Sequence, residues 1–364
     1  MDPPSPQVFL AHAFLVCALA TLSVALVVLR FHEWNQQRLL DISRNARILA
    51  LEFTRYLSGG CSETALRNAA AAAPYEVLWE ALECFSDNIG GEEWAMLSDE
   101  LRGVPGVTRE IDMLAHRVGW RRALAAHHLG LIKVPGATQP LMEAMEGGPA
   151  QVTLSAALSL ARMGDLPALV VLLNRPELTA DCGRYQLVAL LKRFGTQAND
   201  ELRRVLTIGE VETPIHVAAI EVLGLRRDQH SRRKLEDLLL ARSHETRIVV
   251  TRALGRLGSP RSVPALRDAL GDPLWQVRAQ AARALGEIRA HSAMSQLSAG
   301  LRDPAWWVRR NSAYSLAAFG EAGLAILSAA AAASEDLYAR DMAREVLQAL
   351  EWERESPGGM TRVA

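Results

Sequence analysis

The chain has 364 residues, 49% of them hydrophobic but only 5% aromatic, and a net charge of −1. Near-neutrality argues against a molecule-wide field of the kind that draws nucleic acid. A core built from Ala and Leu, both strong helix formers, argues against a β-rich fold. Four cysteines, Cys17, Cys61, Cys84 and Cys182, form no CxxC pair, so neither a disulfide framework nor a zinc site is indicated.

Residues 8–29 read "VFLAHAFLVCALATLSVALVVL", 22 residues without a formal charge. A helix crossing a bilayer needs about 20 such residues. A cleaved signal peptide is disfavoured because "MDPPSPQ" lacks a basic residue and "RFHEWNQQR" follows the run. The reading is therefore a single transmembrane anchor in a tail and anchor segment, 1–30. Arg30, Arg38, Arg44 and Arg47 follow the span, and none precedes it, which places the remainder on the cytoplasmic side. With the compact Ala/Arg-rich style, this points to a bacterial inner-membrane protein.

Residues 31–118 read as a helical stalk followed by acidic capping helices. "RNAAAAAPYEVLWEALECF" has helical spacing broken at Pro74, and "GGEEWAMLSDELRG" follows as a shorter helix. Between Glu76 and Asp112 ten acids face two arginines, a balance of −8. Between Arg242 and Arg310 the sign reverses: twelve Arg, no Lys and five acids give +7.

From residue 119 to 352 the sequence repeats. "DPLWQVRAQAARALGEI" begins at Asp272 and "DPAWWVRRNSAYSLAAF" at Asp303, 31 residues later. One Leu column holds this interval: Leu129, Leu160, Leu191, Leu223, Leu254, Leu285, Leu316 and Leu347, with one slip to 32. Four residues earlier stand Ala125, Ala156, Leu187, Ala219, Val250, Ala281, Ser312 and Ala343, on the same helical face. Turn signals such as "GSPRSVP" divide each copy into two helices. A fixed period holding a helix pair is the signature of an α-solenoid, because one pair cannot bury its apolar face alone. Residues 353–364 read as a flexible tail.

The Asp-Pro…Val-Arg…Ala-Ala…Leu-Gly wording resembles HEAT-like repeats of the short type also found in bilin lyases. The resemblance implies an all-α, right-handed solenoid of HEAT-like helix pairs, here following a transmembrane helix. It leaves function open, since that fold carries scaffolds, lyases and DNA-repair enzymes.

Two sets of polar letters remain. Seven residues before the Leu column lie Arg122, Arg184, Arg247, Arg278, Arg309 and Arg340, read as a structural ladder bracing the repeats. Asp-Pro is read as a helix start, with Asp as cap. The second set is Trp275, Trp306, Trp307 and Arg310, which the repeat does not require. Aromatics and Arg together are enriched in binding hot spots, so these four are read as a partner-binding surface. No P-loop, GxGxxG, GxSxG or HExxH occurs, and adjacent His127 and His128 point about 100° apart on a helix. No cofactor or metal is implied, and the chain is read as a non-enzyme.

The expectation is a membrane-anchored scaffold or adaptor that binds a partner at the cytoplasmic face. That partner is expected to be an integral membrane protein of a complex such as polysaccharide synthesis or secretion. The alternatives are a catalytic or ligand-binding solenoid of the bilin-lyase kind, and nucleic-acid binding through the Arg-rich C-terminal repeats.

Overall fold

In the computed structural model of the chain, the described residues are 6–86, 88–206 and 213–355, with side chains described from 19 to 352 among them. Every regular element there is a helix, and the chain divides into two compact units, Met1–Ala137 and Thr138–Ala364.

The first unit holds α1 (Pro6–Leu57), α2 (Glu63–Ala72), α3 (Tyr75–Ser86), α4 (Gly91–Leu101), α5 (Pro105–Met113) and α6 (Gly119–Ile132). Ser62 starts α2 by accepting the Ala65 N–H, a side-chain cap for one of the unbonded first-turn amides. Pro74 separates α2 from α3, because the residue before proline is pushed out of helical geometry. The last turns of α1 bury Ala46, Leu49 and Phe53 in the unit's core. Phe53 meets Phe85 of α3 edge-on, with ring centres 5.5 Å apart.

The anchor expected at 8–29 requires correction. Among the described residues no helix is long and apolar enough to cross a membrane. Side chains 8–18 lie outside the described residues. Beyond Leu29 the same helix continues through Arg30, Glu33, Arg38 and Asp41. The single-pass inner-membrane placement, its cytoplasmic orientation and the membrane-embedded partner built on it fall with the anchor.

The second unit runs α7 (Thr138–Gly147), α8 (Ala150–Met163), α9 (Leu166–Asn174), α10 (Arg184–Arg193), α11 (Asn199–Arg204), α12 (Pro214–Leu225), α13 (Arg232–Asp237), α14 (His244–Leu257), α15 (Val263–Ala269), α16 (Trp275–Glu287), α17 (Met294–Gly300), α18 (Trp306–Ala317), α19 (Glu321–Ala333) and α20 (Leu337–Glu355). The even-numbered helices from α8 to α20 stack in sequence, each on the next. Each odd-numbered helix from α7 to α19 packs against a neighbouring even-numbered one. The repeat columns form the seam: Leu160, Leu191, Leu223, Leu254, Leu285 and Leu316 are all fully buried, as are Ala156, Leu187, Ala219, Val250, Ala281 and Ser312.

Helices α12, α14 and α16 approach the next helix closely because their last turns carry Gly224, Gly255 and Gly286. A Cβ built on Gly255 would lie 2.8 Å from the Ala284 Cβ and 3.0 Å from its Cα, on the neighbouring helix. Only hydrogen fits there. Gly255→Val is expected to lower stability by about 1–3 kcal/mol through overpacking. The check is a lower urea midpoint at unchanged m-value.

The Asp-Pro pair departs from its expected role. Helices α16 and α18 begin at Trp275 and Trp306, three residues after Asp272 and Asp303. Each carboxylate instead closes the preceding turn, accepting the N–H of Leu274 or Ala305 at 2.8 Å. The same carboxylate is also held by an arginine from the preceding repeat.

Candidate functional site

The exposed face of the stacked helices repeats with the fold. Glu221, Arg252, Arg283 and Tyr314 occupy one column at the 31-residue interval on α12, α14, α16 and α18. Leu225, Arg256, Glu287 and Ala318 occupy another, one helical turn on. Between them lie three hollows in line. One of about 600 Å³ is lined by Leu225, Arg227, Arg256 and Glu287. A second, of about 260 Å³, is lined by Arg252, Arg256, Gln280, Arg283 and Glu287. A third, of about 390 Å³, is lined by Arg283, Glu287, Arg310, Asn311 and Tyr314. Shared walls at Arg256, Arg283 and Glu287 make them one trough.

At the trough's aromatic end the structure brings together three of the four residues read as a contact surface. The Arg310 guanidinium lies 5.8 Å from the Trp306 ring centre and 5.9 Å from that of Trp307. It lies closer still, 4.6 Å, to Tyr314. The two indoles meet edge-on at 4.7 Å. Trp306 and Trp307 nevertheless remain 42% and 49% exposed, so a large apolar area is held in place without being covered. Trp275 is also exposed, but among the described residues it has no ring contact with this group. Tyr314 was not singled out from the sequence. Its signal was present, since it lies one helical turn after Arg310 on the same face.

The charges of the trough are mostly paired. Glu221 is shared by Arg184, at 2.5 Å, and Arg256, at 3.3 Å. Burial pushes the Glu221 carboxyl up, but its two arginines outweigh that and hold it below the usual range. Arg283 donates to Glu287 at 2.9 Å. Arg252 has no ion pair or hydrogen bond among the described residues. Burial, with Arg184, Arg256 and Arg283 nearby, pushes its guanidinium below the ordinary value against the opposing pull of Glu221.

The arginine column falls into five arrangements. Arg247 holds both oxygens of Asp272, at 2.8 and 3.2 Å, and the carbonyl of Ala241. Arg278 repeats this one copy later, with Asp303 at 2.7 and 2.9 Å and the Asp272 carbonyl at 2.9 Å. Arg309 keeps the carbonyl bonds, to Asp303 and Pro304, but lies over the Tyr338 ring at 5.0 Å. Arg184 turns to Glu221 and the trough. Arg122, in the first unit, donates to the Leu114 carbonyl. The Nε of Arg340 is buried without a hydrogen-bond partner.

The first unit carries a second titratable cluster. His128 of α6 is only 2% exposed and stacks flat on Trp79, ring centres 3.8 Å apart. Its Nδ1 lies 3.4 Å from Glu110 of α5, and its Nε2 3.6 Å from Glu83 of α3. Glu110 is fully buried, and neither of its carboxylate oxygens has a hydrogen-bond partner. Burial disfavours charge on His128, but Glu110 and Glu83 outweigh it and raise the imidazole above its usual value. Glu83, drawn on by His127 and His128, is pulled down to about 2. These residues come from three helices, and no sequence spacing joins them. Among the described residues no group of three or more His, Cys, Asp or Glu is placed to hold a metal.

A family model described as HEAT repeats matches residues 211–275 and 268–348. The matched residues, 211–348, carry HEAT repeats. No curated protein matches it. Several solved structures resemble it. The complex of CpcE and CpcF of phycocyanin lyase from Nostoc sp. PCC7120 is 20% identical, with TM-score 0.29, covering 67% of this chain and 88% of that one. Kap121p bound to Pho4p is 13% identical, with TM-score 0.49. That alignment covers 84% of this chain and 41% of the karyopherin, so this chain spans about two fifths of its length. An engineered protein is 15% identical, with TM-score 0.38, over 85% of this chain and 99% of that one.

Proposed function

We propose that this HEAT-like protein is a non-catalytic scaffold that binds a protein partner at the aromatic end of the trough, through Trp306, Trp307, Arg310 and Tyr314. The observation that carries the reading is the Arg310 guanidinium ringed by three aromatic side chains, two of them more than 40% exposed. Exposed aromatics contribute little to the solenoid, since His244 and Leu337 serve at the Trp275 and Trp306 position in neighbouring copies. Held rigidly, they lose little side-chain freedom on binding. Aromatic and arginine anchors of this kind dominate protein interfaces. The trough offers no enclosed cavity where a nucleophile, a base and an oxyanion site converge, which favours binding over chemistry.

The test places a photo-reactive benzoylphenylalanine at position 307, and at exposed Leu240 as a control, in the protein's own cells. A discrete adduct is expected at 307 and not at 240. Arg310→Ala is expected to weaken its formation by about 30-fold, the equivalent of about 2 kcal/mol. No adduct at 307 in the folded protein, or one indifferent to both Trp306→Ala and Arg310→Ala, refutes the reading.

A further inference from the structure

We propose that the Arg252 hollow is a carboxylate-binding subsite, and that it selects a partner segment bearing an Asp or Glu side chain beside its apolar anchor. The inference rests on the scaffold reading and names the chemistry that such a partner must carry.

Arg252, Arg256, Arg283 and Glu287 line the hollow, and Glu221 and Arg184 join it through the Arg256 ion pair. Glu221 is claimed by Arg184 and Arg256, and Glu287 by Arg283. Arg252, half-buried on α14, is the guanidinium left over. A partly desolvated charge without a partner is costly, and a planar guanidinium is recovered best by a carboxylate that accepts two parallel N–H bonds. The hollow measures about 260 Å³, room enough for an acidic side chain. Gln280 on its wall supplies a further amide donor.

Glu287, which lines all three hollows, decides between acidic ligands. A nucleic-acid strand presents phosphates at regular spacing along the whole trough, and it would drive them against Glu287. A peptide places its acids singly and passes Glu287 with a neutral side chain. The hollow opens through Arg283 and Glu287 into the pocket beside Arg310 and Tyr314. A segment whose carboxylate reaches Arg252 therefore continues naturally toward the exposed indoles.

The experiment selects from a displayed library of random 12-residue peptides against the full chain and measures the enriched peptides by fluorescence anisotropy. Enrichment of Asp or Glu near an aromatic or aliphatic residue is expected. Arg252→Gln is expected to weaken those peptides at least tenfold, with an intermediate loss for Arg252→Lys, which keeps the charge but not the fork. Neither variant removes a bond present in the fold, and thermal unfolding of each verifies that. Peptides that bind Arg252→Gln as well as wild type, yet are lost with Arg310→Ala, would overturn the subsite while leaving the scaffold reading intact. Enrichment without acids overturns the subsite as well. Displacement of the peptides by equimolar dT12 would assign the trough to nucleic acid instead, and displacement by inorganic phosphate to a free anion.

Discussion

Arg278→Ala is expected to destabilise the second unit by about 3 kcal/mol, seen as a fall in the urea midpoint. Arg278 and Asp303 retain only 15% and 12% of their side-chain exposure. Removing the guanidinium strands a carboxylate that it holds through two bonds, and it also releases two carbonyls in the preceding turn. One side chain thus fixes the entry of its own helix to the entry of the next, and its loss loosens two repeats. Asp303→Asn keeps the turn-closing acceptor and is expected to cost less. A cycle with Arg278→Ala isolates the coupling of the pair. Arg310→Ala, the next residue along from Arg309 but without an acid partner among the described residues, loses only its contacts with the aromatic rings and is expected to change stability by less than about 1 kcal/mol. Acid adds a second readout. Burial pushes the Asp303 carboxyl up, but Arg278, the Ala305 N–H and Arg309 outweigh it and hold it below 3.8. Its contribution is present above pH 3.8 and is lost as pH falls through the lower folded value. Arg278→Ala is expected to flatten that acid limb.

Much of this architecture was legible in the sequence, for a physical reason. A solenoid reuses one set of local contacts, so the Leu and Ala columns recur at 31 residues and their period survives the divergence of everything else. The arginine column was equally visible, but its partners were not. Arg278 reaches the Asp303 carboxylate 25 residues ahead, because stacking, not helix geometry, decides which turn lies beside it. At the contact surface the indoles and Arg310 were legible as letters that the fold does not require. Tyr314 and Arg252 were missed because each also fits an ordinary helix face. Only the structure shows that one ring covers Arg310 and that the other side chain lacks an acid. The apolar run at 8–29 illustrates the opposite error. Composition over a window was read as a span, whereas among the described residues no helix is long and apolar enough to cross a membrane, and α1 continues into the polar stretch after Leu29.

His128→Gln is expected to have the largest effect in the first unit, about 3–5 kcal/mol, because it leaves the fully buried Glu110 beside no cation. The groups facing His128 are Glu110 from α5, Glu83, Trp79 and Tyr75 from α3, and His127 on its own helix. Both ring nitrogens meet carboxylates, so the charged imidazolium is the form that satisfies both sides. Trp79 stacked flat against the ring adds attraction for that cation. Tyr75 supplies no negative charge near neutrality, since burial and the neighbouring Glu110 push its hydroxyl well above the ordinary value. The pH dependence follows from the two shifts. His128 is raised above 6.5, so its contribution is complete below pH 6.5 and is lost as pH rises through the folded value. Glu83 is lowered from 4.5 to about 2, so its contribution is complete above pH 4.5 and is lost as pH falls toward 2. Unfolding free energy is therefore expected to be greatest between about pH 4.5 and 6.5 and to decline on both sides. Glu110→Gln is expected to cost less than His128→Gln and to flatten the alkaline limb, because the neutral amide no longer needs the imidazolium. The His128 ring signals, followed by NMR from pH 5 to 9, are expected to titrate above 6.5 in the wild type and lower in Glu110→Gln. A His128 that titrates below 6.5 in the wild type would show that burial outweighs the two carboxylates.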